Sequence, residues 1–438
     1  MALPNSVNYN DIPEALKSDV ISTTIVINPV NCKSSYVLCD VIIFDYNSGQ
    51  RGFIDPKSIY LSYKACVVTP NVANGAILGT PVYSPFLIVD TIINSQTIES
   101  VNQWNQVCQA WVQCNMSVAD KAGVQTAYGY LAADDTVLSS FDYRALTQNI
   151  DGVNAADAVV ANNRYFVSAP LICNILTGCE KLIPACLMPQ IRQQLTVDSL
   201  LNFVTSAATV TSFYIYNIQI TYQLIDFGSE VQNMVMSMPK FIIKSNGWSN
   251  SATTIGTGVV GSQSIIFNQR FASIKSALIL ACNGTNAVNK LFDFMDITNS
   301  GTYQIQIGSI TFPQLQLNAG TNRSAIIQEL RKSQGNLYDT KNSMSINTVE
   351  FSRSDVAITA VATTLLEPRK FIIGIDTTRL GCGSSKNLLN GTSSQNSPIT
   401  VLLNIATATG AAQNLNLVLN YDALLEFDPS TSMVSARV

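Results

Sequence analysis

Three glycines raise the first chemical question. Gly256, Gly258 and Gly261 in I-G-T-G-V-V-G (255–261) have the spacing G-x-G-x-x-G of a dinucleotide-binding loop. Such a loop needs a strand before it and a helix after it, so that a pyrophosphate rests on the helix N-terminus. The preceding S-N-G-W-S-N-S-A-T-T (245–254) reads as a polar loop, and the following S-Q-S-I-I-F-N-Q-R-F (262–271) reads as a strand. Neither flank fits, so the motif reads as a glycine turn. G-C-G-S-S-K (381–386) lacks the ending of a phosphate loop and also reads as a turn. Asp134–Asp135 and Asp293–Asp296 are the tightest acidic pairs. Neither has the ligand density of a calcium loop, and neither has a partner for acid–base work.

The chain has no histidine. That excludes Ser-His-Asp and Cys-His catalysis and His-ligated zinc, and it removes the commonest general base. Ten cysteines stand at 32, 39, 66, 108, 114, 173, 179, 186, 282 and 382, with no C-x-x-C among them. The start, M-A-L-P-N-S-V-N-Y-N, has neither a basic n-region nor an apolar h-region. The cysteines are therefore expected to be reduced and to pack as small hydrophobes. The sequons at Asn115, Asn283, Asn322 and Asn390 are expected to be unused. No catalytic, cofactor-binding or metal-ligating residue is assigned, and no cofactor is expected.

Composition points away from nucleic acid and towards self-association. The 438 residues carry a formal net charge of −4, with no basic block. Phosphate binding is thus not the main task. Charged residues make up 12%, about half the usual share, while hydrophobic residues make up 47%. A surface so poor in charge suits a protein that buries its outside against copies of itself.

The elements that would carry any site are mostly strands. Residues 22–28, 36–44, 58–68, 212–227, 265–271, 276–282, 303–312, 370–376, 399–405 and 415–421 are rich in β-branched and aromatic residues. Helical spacing appears at 97–112, with Ile98, Val101, Trp104, Val107, Cys108, Trp111 and Val112 mostly on one face. It appears again at 324–334, stopped by Gly335. Both helices are expected to pack against a sheet edge.

An internal repeat suggests how the strands are grouped. Q-L-I-D-F-G (223–228) matches A-L-L-E-F-D (423–428), pairing Leu224 with Leu424, Asp226 with Glu426 and Phe227 with Phe427. Each motif closes a long neutral strand pattern, as interior strands require. The expected fold class is therefore all-β: two tandem eight-stranded antiparallel jelly rolls with a few short helices in loops. The expected division is an N-terminal arm at 1–20, a first roll at 21–235 and a second at 236–438. Long loops at 133–157 and 381–398 would be functional surfaces.

Several stretches resemble one viral family. G-F-I-D-P-K-S-I-Y-L-S-Y-K (52–64) resembles an early strand pair of the major capsid proteins of virophages and polinton-like viruses. L-I-P-A-C-L-M-P-Q-I-R-Q-Q-L-T (182–196) and Y-I-Y-N-I-Q-I-T-Y-Q-L-I-D-F-G-S-E-V (214–231) resemble the end of their first roll. I-I-F-N-Q-R-F-A-S-I-K-S-A-L-I-L (265–280) resembles the strand pair that opens their second. The resemblance implies a double jelly-roll major capsid protein of the adenovirus-like DNA virus lineage. It implies a homotrimeric, pseudo-hexagonal capsomer that tiles an icosahedral shell beside penton and minor capsid proteins. The protein would be assembled inside the host cell into the virion and not secreted; an inner membrane is compatible with this. The competing classes are a β-sandwich binding module, such as a viral spike or a carbohydrate-binding protein using Trp104, Trp111 and Trp248, and a minor or penton capsid protein. An enzyme is the weakest class.

Overall fold

The computed structural model describes residues 20–46, 51–68, 75–130, 143–145, 162–185, 191–206, 212–283, 291–335, 337, 344–346, 351, 356–357, 366–367, 369–379, 389–428 and 433–437. The arm at 1–19, Asp134–Asp135, the turn at 381–386, Cys186 and Cys382 lie outside them, as does most of the expected loop at 133–157.

Among the described residues, sixteen of the twenty-four strands build the frame. The first eight are β1 (Ile21–Ile27), β2 (Val41–Tyr46), β3 (Tyr60–Val68), β4 (Phe86–Ile93), β5 (Gln96–Asn102), β6 (Asn162–Pro170), β7 (Ile191–Val197) and β8 (Ser212–Asp226). The second eight are β9 (Phe241–Ile255), β10 (Gly261–Phe267), β11 (Ile274–Asn283), β12 (Thr302–Ile307), β13 (Ile310–Asn318), β14 (Ile372–Asp376), β15 (Ile399–Ile405) and β16 (Gln413–Asp428). The first set pairs in the orders β1-β8-β3-β6 and β2-β7-β4-β5. The second set pairs as β9-β16-β11-β14 and β10-β15-β12-β13. Adding eight to every label turns one roll into the other. All these pairings are antiparallel. Each set is a jelly roll, two facing sheets over one core.

Alternation of side chains fills each core. In β7, Ile191, Gln193, Leu195 and Val197 point inward and are buried. The one polar member, Gln193, accepts a hydrogen bond from Tyr46 Oη at 3.0 Å. In β15 the inward set is Ile399, Val401, Leu403 and Ile405. Burying one such aliphatic side chain contributes about 1.5–3 kcal/mol. β16 differs, since both of its faces are covered: Leu415, Leu417 and Leu419 on one, Asn416 and Val418 on the other.

Local readings changed in four places. The helical spacing at 97–112 divides: 97–102 belong to β5, and helix α1 spans Trp104–Asn115. The two-residue hairpin at Asn94 and Ser95, with φ 52° and 62°, pairs β4 with β5 before the helix can start. The strand pattern 303–312 is a hairpin, turning at Gly308 with φ 62°. The polar stretch 245–254 is strand, the middle of β9. Within 36–44 only 41–44 are strand. Helix α2 (Ser229–Met236) joins the rolls with no residue buried. Helix α3 (Arg323–Ser333) is capped by the Asn322 side chain and followed by Gly335 at φ 74°.

The six-residue repeat falls on equivalent strands but out of phase. Leu224 is buried and Leu424 half-buried; Phe227 is half-buried and Phe427 fully buried. The bulge in β8, where the register shifts between Tyr216 and Gln219 and Asn217 has φ 52°, supplies the reason. It moves the inward set from Phe213 and Ile215 to Ile220, Tyr222 and Leu224, reversing the parity. Along β16 the odd positions stay buried from Leu415 to Phe427. Asp226 and Glu426 are each partly exposed and ion-paired, with Arg51 at 3.0 Å and Arg437 at 2.8 Å.

Candidate functional site

The glycine motif is the turn between β9 and β10. Gly258 N–H donates to Thr409 O at 2.8 Å, and Thr409 Oγ1 donates to Gly256 O at 2.8 Å. Gly258 and Gly261 take φ of 79° and 83°, which explains two of the three glycines. A strand stands on each side, so there is no helix N-terminus to hold a phosphate.

The remaining suspects are occupied structurally. Asp293 receives both Nε and Nη2 of Arg369, at 2.9 and 2.5 Å. Asp296 accepts from Thr298 N–H, Thr298 Oγ1, Tyr303 Oη and Ser300 N–H, which closes a tight turn. Cys66, Cys108, Cys114, Cys173, Cys179 and Cys282 are buried free thiols. Burial pushes Cys114 up to about 12 and Cys179 and Cys282 up to about 11, so they are poor nucleophiles. Among the described residues no group of three His, Cys, Asp or Glu side chains could hold a metal. Trp104 lies in the core, its indole N–H donating to Ile172 O at 3.1 Å. Trp111 and Trp248 line a 360 Å³ cleft between the rolls with Lys57, Asn174, Asn246 and Asn420.

The residues with the strongest constraints lie along the seam between the rolls. Strand β5 and helix α1 of the first roll cover the outer face of the β9-β16-β11-β14 sheet. Glu99, on β5, accepts from Trp248 N–H at 2.8 Å and from Ile175 N–H at 2.7 Å. Asn250 Nδ2 donates to Asn102 O at 3.0 Å and Gln103 Oε1 at 3.2 Å. On α1, Gln106 Nε2 donates to Leu291 O at 2.8 Å, while its Oε1 accepts from Asn416 Nδ2 at 2.5 Å. Helix α3 covers the far edge, packing Leu330 and Ser333 against Gly374 of β14. Asn115 at the end of α1 donates to Gln334 just past α3, at 3.2 Å.

Two carboxyl groups are buried here, Glu99 in the seam and Asp422 within the second roll. Burial pushes the Glu99 carboxyl up to about 8, only partly offset by its two backbone donors. Asp422 is fully buried on β16; its Oδ2 accepts from Ser273 Oγ at 2.7 Å. Its Oδ1 has no hydrogen bond, but it stands between Lys244 Nζ at 3.5 Å and Lys275 Nζ at 3.7 Å. The arrangement fixes two rolls side by side. None of Glu99, Gln106, Asn416 and Asp422 stood out in the sequence. The only signal was the neutral run around β16.

Comparison with solved structures places this fold. The chain is similar to the PBCV-1 virus capsid, with TM-score 0.59 and 10% identity, over 96% of this chain and 97% of that one. It is similar to the Faustovirus major capsid protein, with TM-score 0.58 and 8% identity, over 93% and 91%. It is similar to the mavirus major capsid protein, with TM-score 0.54 and 13% identity, over 100% and 95%. The likeness is one of fold, and it extends over nearly the whole of each chain. No protein-family model and no curated protein sequence matches the chain.

Proposed function

We propose that this protein is the major capsid protein of an icosahedral DNA virus, trimerising into pseudo-hexagonal capsomers that tile the shell. The observation that carries this reading is the double jelly roll itself, shared end to end with the capsid proteins of Faustovirus and mavirus. The organisation follows: an arm at 1–20, a first roll at 21–235 and a second at 236–438. The seam supports it physically, because buried hydrogen bonds such as Glu99 to Trp248 and Gln106 to Asn416 hold the two rolls together as one building block. The protein has no enzymatic activity, works in the virion, and meets neighbouring capsomers, penton and minor capsid proteins without reading nucleic-acid sequence. Light scattering should give about three times the chain mass of 47.4 kDa, and electron micrographs should show trimeric rings or shells. Monodisperse single chains over a wide concentration range would refute the reading.

A further inference from the structure

Three neighbouring strands bring an amine, an amide and a carboxyl together on the outer face of the β9-β16-β11-β14 sheet. Asn246 of β9 lies directly opposite Asp422 of β16. The two-residue strand period puts them on the face that also carries Asn250 and Asn416, both bonded to the first roll. Lys275 comes from β11, on the other side of β16. The register of β11 shifts between Ile274 and Ser276, so Lys275 is the extra residue of a bulge and leaves the regular alternation. Its Nζ reaches over β16 to Asn246 Oδ1 at 2.5 Å and stands 3.7 Å from Asp422 Oδ1.

Each group is in the state that amide exchange requires. The Asn246 C=O bond is about 1.2 Å long, so its Cγ lies within about 3.7 Å of the Lys275 Nζ. A near-attack pair stands at roughly 3–3.5 Å. Asp422 is fully buried; Ser273 Oγ donates to its Oδ2, and its Oδ1 has no hydrogen bond and faces the amine. Burial draws the Lys275 amine below its ordinary value; Asp422 opposes this, the Lys244 charge adds to it, and Glu180 opposes it again. Asn246 is clamped in place, because a Cβ on Gly178 would collide with its backbone and a Cβ on Gly247 with the Tyr421 ring.

We propose that Lys275 and Asn246 join in an intramolecular isopeptide bond, formed by the folded chain itself with Asp422 as the proton carrier. Asp422 takes a proton from the Lys275 ammonium. The free amine attacks Asn246 Cγ and forms the Nζ–Cγ bond. Asp422 returns its proton to Nδ2 as the Cγ–Nδ2 bond breaks. Ammonia leaves with a second proton from the attacking amine, as ammonium. The products are one secondary amide and one ammonium ion, with nothing oxidised or reduced and no co-reactant consumed. Asn246 also lines the cleft between the rolls, which gives ammonia a way out. The bond ties β9 to β11 across β16 and closes a loop of 29 residues (275 − 246), fixing the sheet on which the first roll rests.

Intact mass spectrometry of the denatured full chain reads the bond directly. The wild type should weigh one ammonia less than its sequence. Lys275→Arg, Asn246→Ala and Asp422→Asn should each show the full mass of their own sequence. Lys275→Arg keeps a cation beside Asp422, and its melting transition verifies that it folds. Peptide mapping should join the fragment that carries Asn246 to the one that carries Lys275. A wild-type chain of full mass overturns the proposal. So does an ammonia loss that persists in Lys275→Arg, which would be cyclisation at Asn246-Gly247 or elsewhere. Loss of one water, linking a lysine to Asp422, overturns the choice of Asn246. A link that still forms in Asp422→Asn overturns the role of Asp422. The bond lies within one chain, so none of these results depends on the capsomer reading.

Discussion

Glu99 Oε1 lies 2.8 Å from the backbone N–H of Trp248, a bond from the fifth strand of one jelly roll to the first strand of the next. A second backbone donor, Ile175 N–H, meets Oε2 at 2.7 Å, so one carboxyl satisfies two buried amides across the junction. A buried amide without a partner costs about as much as a lost hydrogen bond. The junction is therefore specified by polar pairing as much as by apolar area.

This carboxyl should make stability depend on pH. Its folded value of about 8 lies above the ordinary 4.5, so between those values the native state binds the extra proton. Stability from this group is greatest at low pH and declines as pH rises from about 4.5 to about 8, by a few kcal/mol in all. Urea unfolding from pH 5 to pH 8.5 should show that slope. Glu99→Gln should flatten it, and a slope unchanged in the variant would assign it to another group.

Asp422 should be costly to remove. Asp422→Ala removes the carboxylate that stands between Lys244 and Lys275 and the acceptor of the Ser273 hydroxyl. Breaking a buried pair on one side costs about 3–5 kcal/mol. Denaturant titration should read a loss of that order; a loss under about 1 kcal/mol would mean that water reaches the cluster.

The glycine turn should behave as a turn. Gly258→Ala and Gly261→Ala each meet open space, so any cost comes from positive φ alone, about 1 kcal/mol apiece. Titration of the wild type with NAD or ATP should give neither heat nor a change in melting temperature. Saturable binding abolished by replacing Gly256, Gly258 and Gly261 would contradict the structural role.

The thiols should be chemically quiet. Cys32 and Cys39 are exposed and should be alkylated quickly in the native protein, as peptide mapping would reveal. Cys66, Cys108, Cys114, Cys173, Cys179 and Cys282 should react only on unfolding. Strong reductant should leave the melting temperature unchanged, and a large drop would indicate a disulfide worth several kcal/mol.

Strand chemistry was legible wherever it was local. The runs at 276–282 and 399–405 are dense in Ile, Leu and Val, and they appear as β11 and β15 with little or no shift of boundary. The absence of histidine by itself removes whole classes of catalyst. The first part of the helical pattern 97–112 is strand because T-I-E-S-V fits a helix stripe as well as a strand, and only pairing with β4 selects the strand. Polar β9 was read as a loop for a related reason. Its Ser and Asn residues have weak strand propensity, and what holds them is the ladder to β16 on one side and the first roll laid over them.

By itself, then, the sequence determined the class of fold, the neutral interior strands and the lack of a histidine-based site, because composition and two-residue periodicity act over a few neighbouring residues. The tertiary structure decided the seam. Glu99 meets Trp248 and Gln106 meets Asn416 across separations of 149 and 310 residues. A buried glutamine and an exposed valine look alike in sequence to a solvated glutamine and a core valine. Only the packing of one roll against the next assigns water to one and protein to the other.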